Sequence, residues 1–81
     1  MRAKCWECTV KHVAAACVLM DETMYPSHII QAIGHLALAE IECPDDCVTA
    51  YIRRHRIKLQ ATRDLDVDRL EKYIYGRLLC F

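Results

Sequence analysis

The chain has 81 residues, equal numbers of acidic and basic side chains, and an apolar fraction of 54%. That length supports one small core worth only a few kcal/mol and excludes a large multidomain enzyme. Zero formal charge and a pI near 6.9 disfavour a nucleic-acid polymer as partner, while high apolar content without net repulsion favours at least a dimer.

Two glycines and two prolines are too few turn residues for a β-sandwich, so the expected class is all-α, a single helical domain over residues 1–81. Periodicity and breaks predict four short helices: a hairpin of about 5–21 and 27–43, then about 45–61 and 66–80. No run approaches the roughly 20 apolar residues of a membrane span. The start, MRAK, is basic like a signal peptide, but Glu7, Lys11 and His12 interrupt the apolar stretch such a peptide needs, and a cytoplasmic location is expected.

On the first helix Cys5, Cys8, His12, Ala15 and Leu19 share one stripe, and Trp6, Val10, Val13, Cys17 and Met20 lie beside it. Pro26 opens the second helix, with Thr23 or Ser27 as its cap. There His28, Gln31, His35, Leu38 and Glu42 share a face, while Ile30, Ile33, Leu36, Ala37 and Ile41 make the core-facing stripe. A tight turn would set the two helices antiparallel, bringing His12 level with His35, Leu19 with His28, and Cys5 with Glu42. Gly34 sits mid-helix at a cost of about 1 kcal/mol, which suggests close approach of a helix or ligand beside His35.

Pro44-Asp45-Asp46 breaks the chain and suits a helix start. The third helix carries Val48, Ile52, His55 and Leu59 on one face, with Tyr51, Arg54 and Lys58 alongside. Asp66 is a good N-cap for the fourth, whose Val67, Leu70, Ile74, Leu78 and Phe81 recur at helical spacing. Charge is uneven: residues 1–50 hold three Lys or Arg against seven Asp or Glu, and residues 51–81 hold eight against four. The basic excess centres on Arg53, Arg54, Arg56 and Lys58, which can meet a compact anion or remain a solvated face balanced by Asp64 and Asp68.

Three chemistries are open. Imidazoles at His12, His28 and His35 can line a pocket or satisfy one another inside a bundle. Cys5-x2-Cys8 with His12 offers three zinc ligands on one face, with a fourth required from His35, Cys43 or Cys47; the alternative is core thiols. A redox reading of the same cysteines lacks the preceding strand of thioredoxin-like proteins. No nucleophile elbow, phosphate loop or serine with a credible base is present, which weighs against an enzyme; a hydrolytic role would need a metal-activated water.

The segments CWECTVKH (5–12), YPSH (25–28) and GHLALAE (34–40) resemble a pattern in small uncharacterised phage and prophage proteins, over the first half of the chain only. The resemblance implies a phage origin, hence the host cytoplasm, and a shared site at Lys11, His12, Tyr25, His28, His35 and Glu40. It implies no known chemistry. Some small helical phage proteins sequester nucleotide signals of bacterial immunity, and this chain is similar in size and class.

The leading expectation is therefore a non-enzymatic oligomer capturing a small anionic, nucleotide-like ligand near the hairpin. Lys11, Arg53 and Arg54 would neutralise charge, His12, His28 and His35 would hydrogen-bond, and Trp6 or Tyr25 would stack. No cofactor is required by this reading. The alternative is a protein-interaction module, zinc-stabilised through Cys5, Cys8 and His12, that binds a host or virion protein.

Overall fold

The computed structural model describes residues 4–22 and 25–79. Four α-helices account for them: α1 Trp6–Glu22, α2 Pro26–Glu42, α3 Asp46–Thr62 and α4 Val67–Leu79. The all-α class and the hairpin followed by two further helices are as expected, with ends shifted by a residue or so. No helix among the described residues is long and apolar enough to cross a membrane.

The ends follow local chemistry. Tyr25 precedes α2 in extended conformation without a side-chain cap, and Pro26 supplies a φ already suited to the first turn. Neither expected cap acts there, since Ser27 lies inside the helix and Thr23 is outside the described residues. At α3 the Asp45 carboxylate accepts the amides of Cys47 at 2.8 Å and Val48 at 3.2 Å. The helix closes at Arg63, left-handed at φ 58°, whose amide donates to the Leu59 carbonyl at 2.8 Å. Asp66 caps α4 as expected, accepting the Arg69 amide at 3.1 Å.

The helices form a four-cornered bundle in which α1 packs on α2 and α4, and α3 packs on α2 and α4. The expected α3 face is buried in full: Val48, Ile52, His55 and Leu59. On α1 the most buried line is Thr9, Val13, Ala16, Cys17 and Met20, which runs between the two expected stripes and leaves Trp6, Val10 and Leu19 as half-buried flanks. From α4 and the link before it come Leu65, Leu70 and Ile74, whereas the Leu78 side chain and Phe81 lie outside what is described.

The α2 stripe departs from expectation. Ile29, Ala32, Leu36 and Ala39 face the core together with Cys43, whereas Ile30 and Ile41 are 70% and 68% exposed. The helix is apolar almost all round, so periodicity alone left its orientation ambiguous. Gly34 faces open space: a Cβ added there would meet nothing within 4 Å, so no neighbour within the chain demands a glycine.

One ion pair joins the beginning of α3 to the end of α4, with Arg77 Nη2 donating to Asp45 Oδ2 at 2.8 Å. The Arg77 guanidinium, followed by the Val48 and Cys47 amides, holds the Asp45 carboxyl below its ordinary value of 3.8. A depressed carboxyl stabilises the fold above the unfolded value, and that contribution is lost as pH falls through the lower folded value. Asp45→Asn should therefore lower the melting temperature at neutral pH and flatten the acid limb of the stability curve below about pH 4. Melts from pH 7 to pH 2 check this, and parallel wild-type and variant curves would refute it.

Candidate functional site

The expected site residues fall into separate neighbourhoods. His12, on the α2 side of α1, meets His35 across the seam with Nδ1 to Nδ1 at 3.2 Å, ring centroids 5.5 Å apart and planes 32° apart. Such a contact needs one ring to donate its N–H and the other to accept on a bare nitrogen, so the two rings satisfy one another as long as at least one is neutral. Tyr25 and His28 pair edge to face at 5.9 Å at the closed end of the hairpin, where Tyr25 is largely exposed. Lys11 faces solvent and bridges to Glu7 at 3.2 Å.

Arg53 belongs to a third neighbourhood. Glu40 of α2 has only 8% of its side chain exposed and is held by the Nε groups of Arg53, at 2.9 Å, and Arg56. Arg56 extends the network to Gln60 at 3.2 Å. The counter-charge to this part of the basic turn is therefore Glu40, rather than Asp64 or Asp68. Lys4, Asp46 and Thr49 complete a cleft over the pair.

The fourth neighbourhood lies between α3 and α4. Tyr51 stacks on Tyr73 with centroids 3.8 Å apart and planes 10° apart, and lies 4.5 Å from the His55 ring. His55 is buried, and its Nδ1–H donates to the Tyr51 carbonyl at 3.0 Å, which leaves Nε2 as the acceptor nitrogen of the neutral ring. Arg54, Lys58 and Arg69 join Tyr51 and His55 around a cleft of about 190 Å³. Arg69 bridges to Asp66 at 3.6 Å, while among the described residues Arg54 and Lys58 have no ion-pair partner.

Of this cluster the sequence pointed to Arg54 as a site residue and to Lys58 as part of the same basic turn. The stripe of Tyr51, Arg54 and Lys58 was visible on α3, but Arg69 and Tyr73 come from another helix at no fixed spacing. His55 read as a core residue, which it is.

The metal reading is not supported by the geometry. Among the described residues no group of three His, Cys, Asp or Glu side chains is placed to hold a metal ion. His12 turns to His35, and Cys5 Sγ accepts the Cys8 amide at 3.1 Å. Cys17 and Cys43 are the core thiols: burial, with the nearby Glu71 carboxylate, pushes Cys17 up to about 12, and the Cys43 thiol donates to the Asp45 carbonyl at 3.3 Å.

A partnered pair at a half-buried seam should show energetic coupling. In a double-mutant cycle with His12→Leu and His35→Leu, each single change should cost more than half of the double change, with a coupling of about 1 kcal/mol. Urea denaturation measures it, and additive losses would show that the contact contributes nothing to the fold.

No protein-family model, no curated protein and no solved structure matches this chain. The functional reading rests on its own residues.

Proposed function

We propose that the protein is a non-enzymatic binding protein that captures a compact anion in the α3–α4 cleft. The observation that carries this is the meeting of two cations without an ion-pair partner among the described residues, Arg54 and Lys58, with Arg69 around one cleft between α3 and α4. Arg54, Lys58 and Arg69 line one cleft, and a phosphate-like group between them would gain charge-assisted hydrogen bonds from all three. Arg54 brings the planar fork that matches phosphate oxygens, and Lys58 a mobile point charge.

Size and stacking narrow the ligand. A cleft of about 190 Å³ is below the usual range for drug-sized molecules, roughly 300–1,000 Å³, and suits a phosphate or small phosphate ester. Tyr51 already stacks on Tyr73, so one aromatic face that could hold a base is occupied from within. A larger nucleotide would extend into the adjoining cleft of about 540 Å³, which shares Tyr51 and Arg69 and adds Lys72, against the repulsion of Asp66 and Asp68. Sequestration of a signalling nucleotide in counter-defence is the narrower form of the same proposal. This places capture away from the hairpin seam, where His12 and His35 already satisfy one another.

Isothermal titration with inorganic phosphate, pyrophosphate, cyclic nucleotides and ADP-ribose tests the reading. Binding should weaken with added salt and fall at least tenfold in Arg54→Glu and Lys58→Glu. Arg53→Gln should leave affinity unchanged while lowering the melting temperature, because it strips a partner from buried Glu40. Absence of heat from every ligand in a folded sample would sink the proposal.

A second reading, an interaction module, is favoured by the outer face of α2. Its positions are near-symmetric about the midpoint between His35 and Leu36: exposed Ile30 exchanges with exposed Ile41, and Gly34 with Ala37. That pattern suits an antiparallel two-fold contact with a second copy, placing like residues opposite one another and the smallest near its centre. Sedimentation should show a dimer that Ile41→Glu dissociates without loss of helix content. A monomer at every concentration would leave the face to a host or virion protein or to solvent.

A further inference from the structure

Of the five described cysteines, two share one accessible helical turn. Cys5 and Cys8 are both half-buried, whereas Cys17 and Cys43 are sealed in the core and Cys47 is exposed elsewhere. Cys5 immediately precedes α1, and its Sγ takes the place of a capping oxygen by accepting the Cys8 amide at 3.1 Å. The turn is anchored at three further points: the Cys5 amide donates to the Glu42 carbonyl at 2.8 Å, the Thr9 hydroxyl to the Cys5 carbonyl at 2.8 Å, and the Thr9 amide to that same carbonyl at 3.0 Å.

We propose that Cys5 and Cys8 form a thiol–disulfide exchange site, with Cys5 attacking and Cys8 resolving, that reacts with small disulfides of the glutathione class. The sequence argument against redox chemistry was the missing strand, but the strand only delivers the chain to a helix start. What the chemistry needs is a thiol at a helix N-terminus, stabilised as thiolate by amide donors and followed by a second thiol one turn later. The α1 terminus meets that need through the Glu42 anchor instead. Hydrogen bonds from the Cys8 thiol and then the Cys8 amide hold the Cys5 thiol below its ordinary value, outweighing partial burial and the repulsion of Glu7.

The exchange balances in two steps. The Cys5 thiolate attacks one sulfur of R–S–S–R, forming a Cys5–S–S–R mixed disulfide and expelling one R–S⁻. Deprotonated Cys8 then attacks Cys5 Sγ, closing the Cys5–Cys8 disulfide and expelling the second R–S⁻, so that two thiols are oxidised as one external disulfide is reduced. Cβ atoms three apart on a helix lie about 5–6 Å from one another, and a disulfide wants about 3.8 Å. Closure must draw Cys5 inward at the helix end, and the resulting bond is strained and readily reduced, as suits a reversible site more than a structural staple.

Trypsin cleavage after Lys4 and Lys11 releases residues 5–11, which carry Cys5 and Cys8 and no other cysteine. After equilibration of the full chain in reduced and oxidised glutathione and trapping with N-ethylmaleimide, this peptide should lose both alkylation sites together and gain an internal disulfide. Fluorescence of Trp6, the single tryptophan, should change in step. Cys8→Ser should accumulate glutathione on Cys5, and Cys5→Ser should leave Cys8 largely unmodified. The proposal is overturned if the peptide stays doubly alkylated in excess oxidised glutathione, or if the two serine variants are glutathionylated equally.

Discussion

The rotation of α2 about its own axis is the constraint on which the rest of this bundle depends. The helix could bury several alternative apolar stripes, and hydrophobicity alone scarcely distinguishes them. Polar groups on its two flanks decide. His35 reaches His12 on α1, and Glu40 reaches Arg53 and Arg56 on α3. Turning α2 to bury Ile30 would gain about 1.5–3 kcal/mol for that side chain but would carry Glu40 toward the middle of the core. A buried carboxylate parted from its cations costs several kcal/mol, so the flanking contacts prevail and the isoleucines stay outside.

The same constraint sorts the basic turn of α3. Arg53 and Arg56 project toward α2 and are consumed by Glu40, whereas Arg54 and Lys58 line the α3–α4 cleft and make no ion pair among the described residues. A contiguous basic segment thus divides into a structural half and an available half. The buried ion pair adds little net stability relative to an apolar substitute, and its value lies in selecting one orientation of α2. Selecting that orientation also selects which cations are left without an ion-pair partner among the described residues.

Much of the fold was legible in the sequence because helix breaks and caps are local. Pro26, Pro44 and Asp66 mark boundaries through their own backbone and side-chain chemistry, and the α3 face of Val48, Ile52, His55 and Leu59 is regular enough to read directly. The meeting of His12 and His35 was legible too, since a short hairpin fixes which residues lie level. The α2 core face was not, because its orientation is set by arginines from another helix. The α3–α4 cleft was hidden for the same reason: Arg69 and Tyr73 reach Tyr51 and His55 only through tertiary packing.

The N-terminal turn shows how a local motif acquires meaning from its setting. A Cys-x2-Cys pair is compatible with a metal site, core packing or redox exchange, and spacing does not choose among them. Sealing both thiols in the core would have made them inert, as it does Cys17 and Cys43. A third converging ligand would have favoured a metal, and among the described residues none is in place. The backbone bond from Cys5 to Glu42 instead fastens the start of α1 to the last turn of α2, so the pair sits at an anchored corner of the bundle with both residues half-buried. Because Glu42 lies two turns beyond the seam residue His35 and its helix also carries Glu40, the proposed change of state at these thiols would act on the helix whose orientation organises the whole bundle.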